Sequence, residues 1–140
     1  IGTFTLMTLL VDTSVWSLAL RRDSPKRLPE IELLLTALNG GEIVVTTGLI
    51  VQELLQGFHG PKQRDQIIER FAALPILIPD RNDHIEAAGL RNKCRRSGVQ
   101  IGTIDALLAQ LCIHYRTTLL TADKDFLHAS RYIPLHVWQA

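Results

Sequence analysis

Short apolar runs alternate with longer segments of helical periodicity along this chain, and this alternation constrains the fold more than any other feature of the sequence. Five runs rich in Leu, Ile and Val predict β-strands, at residues 8–12, 42–47, 75–80, 118–123 and 134–138. Segments with apolar residues at helical spacing predict helices at 14–21, 30–38, 48–58, 62–74, 82–98, 103–116 and 124–130. We therefore predict an α/β protein, a three-layer α/β/α sandwich around a central parallel sheet.

The composition of the chain fits one folded domain. Its 140 residues are 46% hydrophobic and 21% charged, which excludes the polar composition of a disordered chain. No apolar run approaches the roughly 20 residues of a membrane-spanning helix, and no signal peptide is recognisable. We expect a cytoplasmic protein without a membrane partner and a single domain over residues 7–140. Residues 1–6 precede the only methionine, Met7, and are interpreted as a non-native leader or tag remnant.

Several kinds of chemistry find no support in the sequence. Cys94 and Cys112 lack CxxC spacing and paired histidines, so we predict two buried, reduced thiols rather than a zinc site. The phosphate-binding patterns GxxxxGK[ST] and GxGxxG are both missing, which argues against a nucleotide cofactor. The nucleophile-elbow pattern GxSxG is missing as well.

Four carboxylates stand where parallel strands end or where the following helices begin. Asp12 and Asp123 end two predicted strands, Glu53 lies in the helix after the strand 42–47, and Asp105 lies in the first turn of the helix that begins near Thr103. The carboxyl ends of parallel strands share one edge of the sheet, and ligands bind there. Each acid alone also fits an ordinary role as a helix cap, a turn residue or a solvated helix residue. Together they predict a single acidic site.

Clustered carboxylates repel one another, and some must take up protons unless a cation binds between them. Mg²⁺ and Mn²⁺ prefer oxygen ligands, so these acids predict a Mg²⁺ or Mn²⁺ site. Such a cation promotes the ionisation of water and stabilises a leaving oxygen. The chemistry that this arrangement indicates is the hydrolysis of phosphodiester bonds.

Four short segments, in this order and spacing, give the chain a resemblance to a known family. They are "LLVDTSVW", "VQELLQG", "IGTIDALLA" and "LLTADKDF". The chain resembles a PIN-domain ribonuclease, in particular a VapC-type toxin of a type II toxin–antitoxin system, over residues 7–138. The resemblance implies a PIN-like α/β sandwich, an acidic Mg²⁺ or Mn²⁺ site and endonucleolytic cleavage of RNA. It also implies a homodimer and neutralisation by a cognate VapB-type antitoxin.

The resemblance assigns roles to the four acids. It implies that Asp12 and Asp105 are the principal metal ligands, that Asp123 is a further ligand, and that Glu53 binds metal or orients the attacking water as a base. Four further residues are assigned a supporting role at the site. The hydroxyl residues among them would position a phosphate or a carboxylate by hydrogen bonding, and the alternative for each of them is a helix cap. The supporting residues are Thr13, Ser14, Thr103 and Asp125.

The net charge of +1 does not by itself indicate a nucleic-acid protein, but two basic runs are present. One comprises Arg91, Lys93, Arg95 and Arg96, just before the segment of Asp105. We expect some of these residues near the rim of the site, where phosphate contacts would position single-stranded or loop RNA. The other run comprises Arg21, Arg22, Lys26 and Arg27. A solvated helix face is the alternative interpretation of both runs.

Two other functions remain open from the sequence alone. A non-catalytic PIN-like scaffold that binds RNA or protein would share the fold. A phosphatase or receiver-type phosphotransfer protein would also place an aspartate after a parallel strand. The phosphatase pattern calls for a second aspartate two residues after Asp12, where this chain has Ser14, and the receiver pattern fits Lys124 only loosely.

Overall fold

The computed structural model describes residues 7–21 and 28–140 of the chain. The predicted leader, residues 1–6, lies outside the described residues. So do Arg22, Lys26 and Arg27 of the first basic run.

A four-stranded parallel sheet forms the centre of the molecule. Its strands are β1 (Thr8–Val11), β2 (Ile43–Thr47), β3 (Ile76–Leu77) and β4 (Thr118–Leu120), in the spatial order β3-β2-β1-β4. Leu9, Leu10 and Val11 are completely buried, as expected for a central strand covered on both faces.

Seven helices in the described ranges surround the sheet and confirm the predicted α/β/α architecture. They are α1 (Thr13–Leu20), α2 (Pro29–Thr36), α3 (Gly48–Gly57), α4 (Pro61–Ala72), α5 (Arg81–Arg96), α6 (Thr103–Tyr115) and α7 (Lys124–Ala129). A π-helical turn, Ala37–Gly41, follows α2, and Gly40 adopts a φ of 98° there, a conformation that favours glycine. No helix in this part of the chain is both long and apolar enough to cross a bilayer.

The predicted strand at 134–138 is wrong. This segment makes only one isolated parallel bridge, between Leu119 and Val137. The Leu119 N–H donates to the His136 carbonyl and the Trp138 N–H donates to the Leu119 carbonyl, both at 2.9 Å. Pro134 has no N–H to donate, so backbone pairing cannot begin at the start of the segment.

The core contains the side chains that the apolar patterns predicted. Trp16 is buried and packs against Phe71, with ring centroids 4.6 Å apart. Cys94 and Cys112 are buried free thiols, as predicted. Burial raises the pKa of Cys112 to about 12, so this thiol stays protonated and does not act as a nucleophile.

The strand order creates a crevice at one edge of the sheet. The chain proceeds from β1 to β2 and β3 on one side and then adds β4 on the other side of β1. The carboxyl ends of β1 and β4 therefore flank the point where the strand order reverses, which is where ligands bind in open α/β sheets. Arg116, at a φ of 54°, ends α6 just before β4 begins, so the N-terminus of α6 returns to this same edge.

Candidate metal centre

Asp12 occupies the end of β1 and is held rigidly. It is the N-cap of α1, so the prediction that Thr13 or Ser14 caps this helix is wrong. Its carboxylate is 7% exposed and accepts three hydrogen bonds: from the Thr13 N–H at 2.8 Å, from Ser14 Oγ at 2.8 Å and from Thr121 Oγ1 at 2.9 Å. A carboxylate satisfied in this way is oriented before any ligand arrives.

Two hydroxyl groups join the end of β1 to the end of β4. Ser14 Oγ, which donates to Asp12, accepts from the Ala122 N–H at 3.0 Å. Thr121 Oγ1, which also donates to Asp12, accepts from the Asp123 N–H at 3.0 Å. Thr121 was not predicted as a site residue. The signal that could have found it is its position directly before the Ala-Asp pair that ends the predicted strand.

Asp123 lies at the start of α7 and acts as its N-cap. Its Oδ1 accepts the Asp125 N–H at 2.9 Å. Asp125 thus contacts the Asp123 carboxylate through its backbone, and the Asp125 side chain is exposed.

Asp105 lies in the first turn of α6, whose N-cap is Gly102 rather than the predicted Thr103. Burial raises the pKa of Asp105 to about 6, helped by the nearby charges of Asp12, Asp123 and Glu53, although a hydrogen bond from the Gly102 backbone lowers it. Because the charges of the three other acids contribute to this shift, the four carboxylates lie close enough to interact electrostatically.

Glu53 projects from the second turn of α3 and is half-buried. Burial raises the pKa of its carboxyl, and the charge of Asp12 raises it further. A hydrogen bond from the Thr13 side chain lowers the pKa of Glu53. Thr13 Oγ1 is buried and has no other hydrogen-bond partner among the described residues. Thr13 therefore faces Glu53 rather than capping α1.

The four predicted acids do not form a compact set of metal ligands. In the described ranges, one set of three side chains brings its potential ligand atoms within 4.8 Å of one another, and that set is Asp80, Asp83 and His114. Asp12, Glu53, Asp105 and Asp123 interact electrostatically without meeting this criterion. Mg²⁺ commonly binds through one or two carboxylates and keeps several waters, so a more open arrangement suits it.

The group of Asp80, Asp83 and His114 was missed by the sequence analysis and has a structural explanation. Asp83 is 1% exposed and forms a reciprocal capping box with Asp80 at the start of α5. Its carboxylate also accepts from Gln110 Nε2 at 3.2 Å and from His114 Nδ1 at 2.8 Å. His114 lies nine residues beyond Asp105 on α6, roughly 13 Å away along the helix. The group ties α5 to α6 at the end remote from Asp105.

The basic residues on α5 divide into two kinds. Arg91 donates from Nε to the Ile101 carbonyl at 3.1 Å and, with Arg95, lines a cavity beside the loop that leads to α6. Lys93 and Arg96 are exposed and line neither this cavity nor the neighbouring one.

The donor set at the carboxyl edge fits a divalent cation. It offers oxygen ligands only, as Mg²⁺ and Mn²⁺ prefer. The raised pKa of Asp105 reflects burial and a local excess of negative charge that a bound cation would remove. Asp12, Glu53, Asp105 and Asp123 are the carboxylates that this edge offers to such an ion.

Without metal, the substitution Asp105→Asn is expected to stabilise the fold at neutral pH. A pKa raised from 3.8 to about 6 means that the ionised carboxyl opposes folding above pH 6, and that this opposition disappears as the pH falls to 3.8. The full shift corresponds to about 3 kcal/mol, which solvent screening at a half-buried group reduces to about 1–2 kcal/mol. Urea denaturation in EDTA at pH 7.5 and pH 4 measures this difference.

The control for this experiment is Asp65→Asn, because the Asp65 side chain on α4 is 79% exposed. The control is expected to match the wild type at both pH values. A destabilised Asp105→Asn protein at pH 7.5 would contradict the charge repulsion inferred here.

Comparison with known proteins identifies the fold of the chain. A family model described as PIN domain matches residues 9–132. The chain is similar to FitAcB from Neisseria gonorrhoeae, with a TM-score of 0.67 and 21% identity over 94% of this chain and 96% of that chain. It is also similar to VapBC2 from Rickettsia felis bound to a promoter DNA fragment, with a TM-score of 0.70 and 19% identity over 95% and 100% of the two chains.

VapBC-1 from nontypeable Haemophilus influenzae is a third similar structure, with a TM-score of 0.67 and 20% identity over 95% of this chain and 97% of that chain. At identities this low, the likeness establishes the fold alone. No curated protein matches the chain significantly.

Proposed function

Because this chain belongs to the PIN domain family, whose model matches residues 9–132, we propose that it is a metal-dependent endoribonuclease that hydrolyses RNA phosphodiester bonds. Relatives in this family are nucleases. The observation that carries the proposal is the electrostatic interaction of four carboxylates near the carboxyl edge of the sheet, where burial and the charges of the other three raise the pKa of Asp105 to about 6. This set of oxygen ligands suits Mg²⁺ or Mn²⁺.

In this proposal each acid has a distinct part. Asp12 and Asp105 would hold the cation, and the hydroxyl groups of Ser14 and Thr121 orient the Asp12 carboxylate for that role. Asp123 would be a further ligand, and its carboxylate is oriented by the Asp125 N–H. Glu53, whose pKa is raised by burial and by Asp12, accepts the proton of the attacking water.

A bound Mg²⁺ or Mn²⁺ supplies Lewis acidity, which makes water easier to ionise and stabilises the charge on the leaving oxygen. The chain's own residues would position the scissile phosphate. The exposed Thr103 at the start of α6 and the N-terminal N–H groups of that helix are available to a phosphate oxygen.

We further propose that the protein is a VapC-type toxin of a cytoplasmic toxin–antitoxin pair. Support comes from its similarity to chains of the FitAcB and VapBC structures. A VapB-type antitoxin would be the partner that neutralises the nuclease, and the active form would be a homodimer.

Metal removal is the direct test of the enzyme. With single-stranded RNA as substrate, cleavage is expected in 5 mM Mg²⁺ or Mn²⁺, on the order of 100-fold or more above the rate in excess EDTA. Restoring either cation after EDTA is expected to restore cleavage, which controls for irreversible damage. Gel analysis of a 5′-labelled oligonucleotide measures the rate and distinguishes internal cleavage from removal of terminal nucleotides.

Cleavage that persists undiminished in EDTA would contradict the metal mechanism. RNA binding without cleavage under all cation conditions would instead favour the non-catalytic scaffold.

A further inference from the structure

Two adjoining cavities open beside the candidate metal centre. The larger, of about 530 Å³, lies between the loop that joins α5 to α6 and the end of α7, and its walls include Asp125, His128, Arg131 and Tyr132. The smaller, of about 240 Å³, is lined by Arg91, Arg95 and the same loop. Val99 and Gln100 line both cavities, so the two form one continuous surface, here called the α5–α7 cleft.

The α5–α7 cleft carries an excess of positive charge. It contains three guanidinium groups, from Arg91, Arg95 and Arg131, and one carboxylate, from Asp125. Within the described ranges none of the three arginines makes an ion pair. Arg91 uses its Nε to hold the Ile101 carbonyl, which fixes the cleft wall. The remaining N–H groups are available to an anionic ligand.

The cleft is continuous with the acidic site through two short connections. Asp125, in the cleft wall, donates its backbone N–H to Asp123 Oδ1 at 2.9 Å. On the other side, Ile101 in the cleft wall directly precedes Gly102, whose backbone hydrogen-bonds Asp105. A polyanion bound in the cleft would therefore lie next to the residues that contact Asp123 and Asp105.

An aromatic side chain stands next to a basic one in this cleft. Tyr132 is 40% exposed and lines the larger cavity beside Arg131. A phosphate contact next to an aromatic face is the combination that binds single-stranded nucleic acid, because an unstacked base can lie on the ring while the backbone lies against the cation. A duplex keeps its bases stacked and cannot use Tyr132 in this way.

We propose that the α5–α7 cleft is a subsite for single-stranded RNA flanking the scissile bond, in which Arg131 contacts a phosphate and Tyr132 stacks on a base. The inference rests on the proposed nuclease function and adds the path by which the strand reaches the carboxylates. Arg91 and Arg95 extend the phosphate track along α5. His128 and Gln100 add polar groups to the same wall.

Binding in EDTA tests the cleft separately from catalysis. The probe is a fluorescein-labelled 12-nucleotide single-stranded RNA, whose anisotropy is followed from 50 to 300 mM KCl. Arg131→Ala is expected to weaken binding about five- to tenfold and to reduce the slope of log K against log salt by about 0.7, the value for one lost phosphate contact. Tyr132→Ala is expected to weaken binding about fivefold or more.

Matched controls separate these effects from general damage. Arg64→Ala removes an exposed arginine from α4, which lies before β3 at the opposite edge of the sheet, and it is expected to bind like the wild type. Tyr132→Phe keeps the aromatic face and is also expected to bind like the wild type. In Mg²⁺, Arg131→Ala is expected to raise KM by the same factor as the loss in binding, with kcat within about twofold.

The two proposals fail in different ways. If the wild type cleaves RNA with metal but Arg131→Ala and Tyr132→Ala bind RNA as well as Arg64→Ala does, the cleft proposal is overturned and the nuclease stands. If the variants lose binding as expected but no cation supports cleavage, the cleft stands as an RNA surface and the nuclease fails. Unchanged RNA affinity together with binding of an acidic peptide would assign the cleft to a protein partner and overturn the proposal.

Discussion

Asp12→Asn and Asp105→Asn are each expected to lower metal-dependent RNA cleavage by about 100- to 1000-fold, the scale observed when an electrostatic group of an active site is removed. Each substitution replaces an anionic ligand by a neutral amide, which weakens the attraction for a divalent cation. Asp12→Asn also introduces an N–H₂ group where Ser14 and Thr121 both donate, so the network that orients this side chain must rearrange. Initial rates on a labelled single-stranded RNA in Mg²⁺ measure the loss.

The stability of Asp105→Asn allows a loss of cleavage caused by misfolding to be distinguished from one caused by the lost ligand. Asp105→Asn is expected to be more stable than the wild type in EDTA, because it removes the carboxyl that burial and three neighbouring charges oppose. A stable and inactive Asp105→Asn protein would locate the defect in the site. Asp65→Asn, at an exposed position on α4, is expected to retain full activity. A rate within threefold of the wild type for either site variant would remove Asp12 or Asp105 from the metal centre.

Asp83→Ala is expected to lower the free energy of unfolding by about 3 kcal/mol, the cost of breaking a buried charged network on one side. The carboxylate is 1% exposed and accepts from the Asp80 N–H, Gln110 and His114, all of which lose their acceptor in the variant. The contact between α5 and α6 would loosen at this end. Urea denaturation at pH 7 measures the change, with the exposed Asp65→Ala as the matched control.

The effect of Asp83→Ala is expected to depend on pH. Burial alone would raise the pKa of Asp83, but the hydrogen bonds from Asp80, Gln110 and His114 outweigh it and hold the pKa below the ordinary 3.8. The stabilisation is therefore complete above pH 3.8 and is lost as the pH falls through the lowered pKa. The difference in unfolding free energy between wild type and variant should narrow in that acidic range.

Asp83→Ala also tests whether the Asp80, Asp83 and His114 group is a catalytic metal centre. If this group serves only to join α5 to α6, cleavage per folded molecule should remain near the wild-type rate at low temperature. A folded variant that has lost cleavage and metal binding would transfer the metal centre from the carboxyl edge to this group.

Local pattern was sufficient to predict most of the fold. β-branched and leucine-rich runs predicted four strands that the structure contains, and apolar spacing predicted seven helices to within a few residues. The prediction failed at 134–138, where an apolar run makes only one bridge with β4. The run begins with Pro134, which has no N–H for a ladder, so its apolar composition alone did not make it a strand.

Capping was the second point at which local pattern was insufficient. Thr13, Ser14 and Thr103 all have hydroxyl groups suited to a helix cap, yet Asp12 and Gly102 hold the N-cap positions. Ser14 instead donates to Asp12 and accepts from Ala122, 108 residues away along the chain. That bond exists only because β1 and β4 are neighbours in the sheet.

The sequence by itself determined where most of the strands and helices lie, because hydrophobic periodicity and local chemistry act over a few residues. From that alone, acids at strand ends could be assigned to one edge of a parallel sheet. Only the tertiary structure decided that β4 pairs with β1, that Thr121 orients Asp12, and that burial and neighbouring charges raise the pKa of Asp105. Those outcomes depend on burial and on contacts between residues about a hundred positions apart, which no local pattern records.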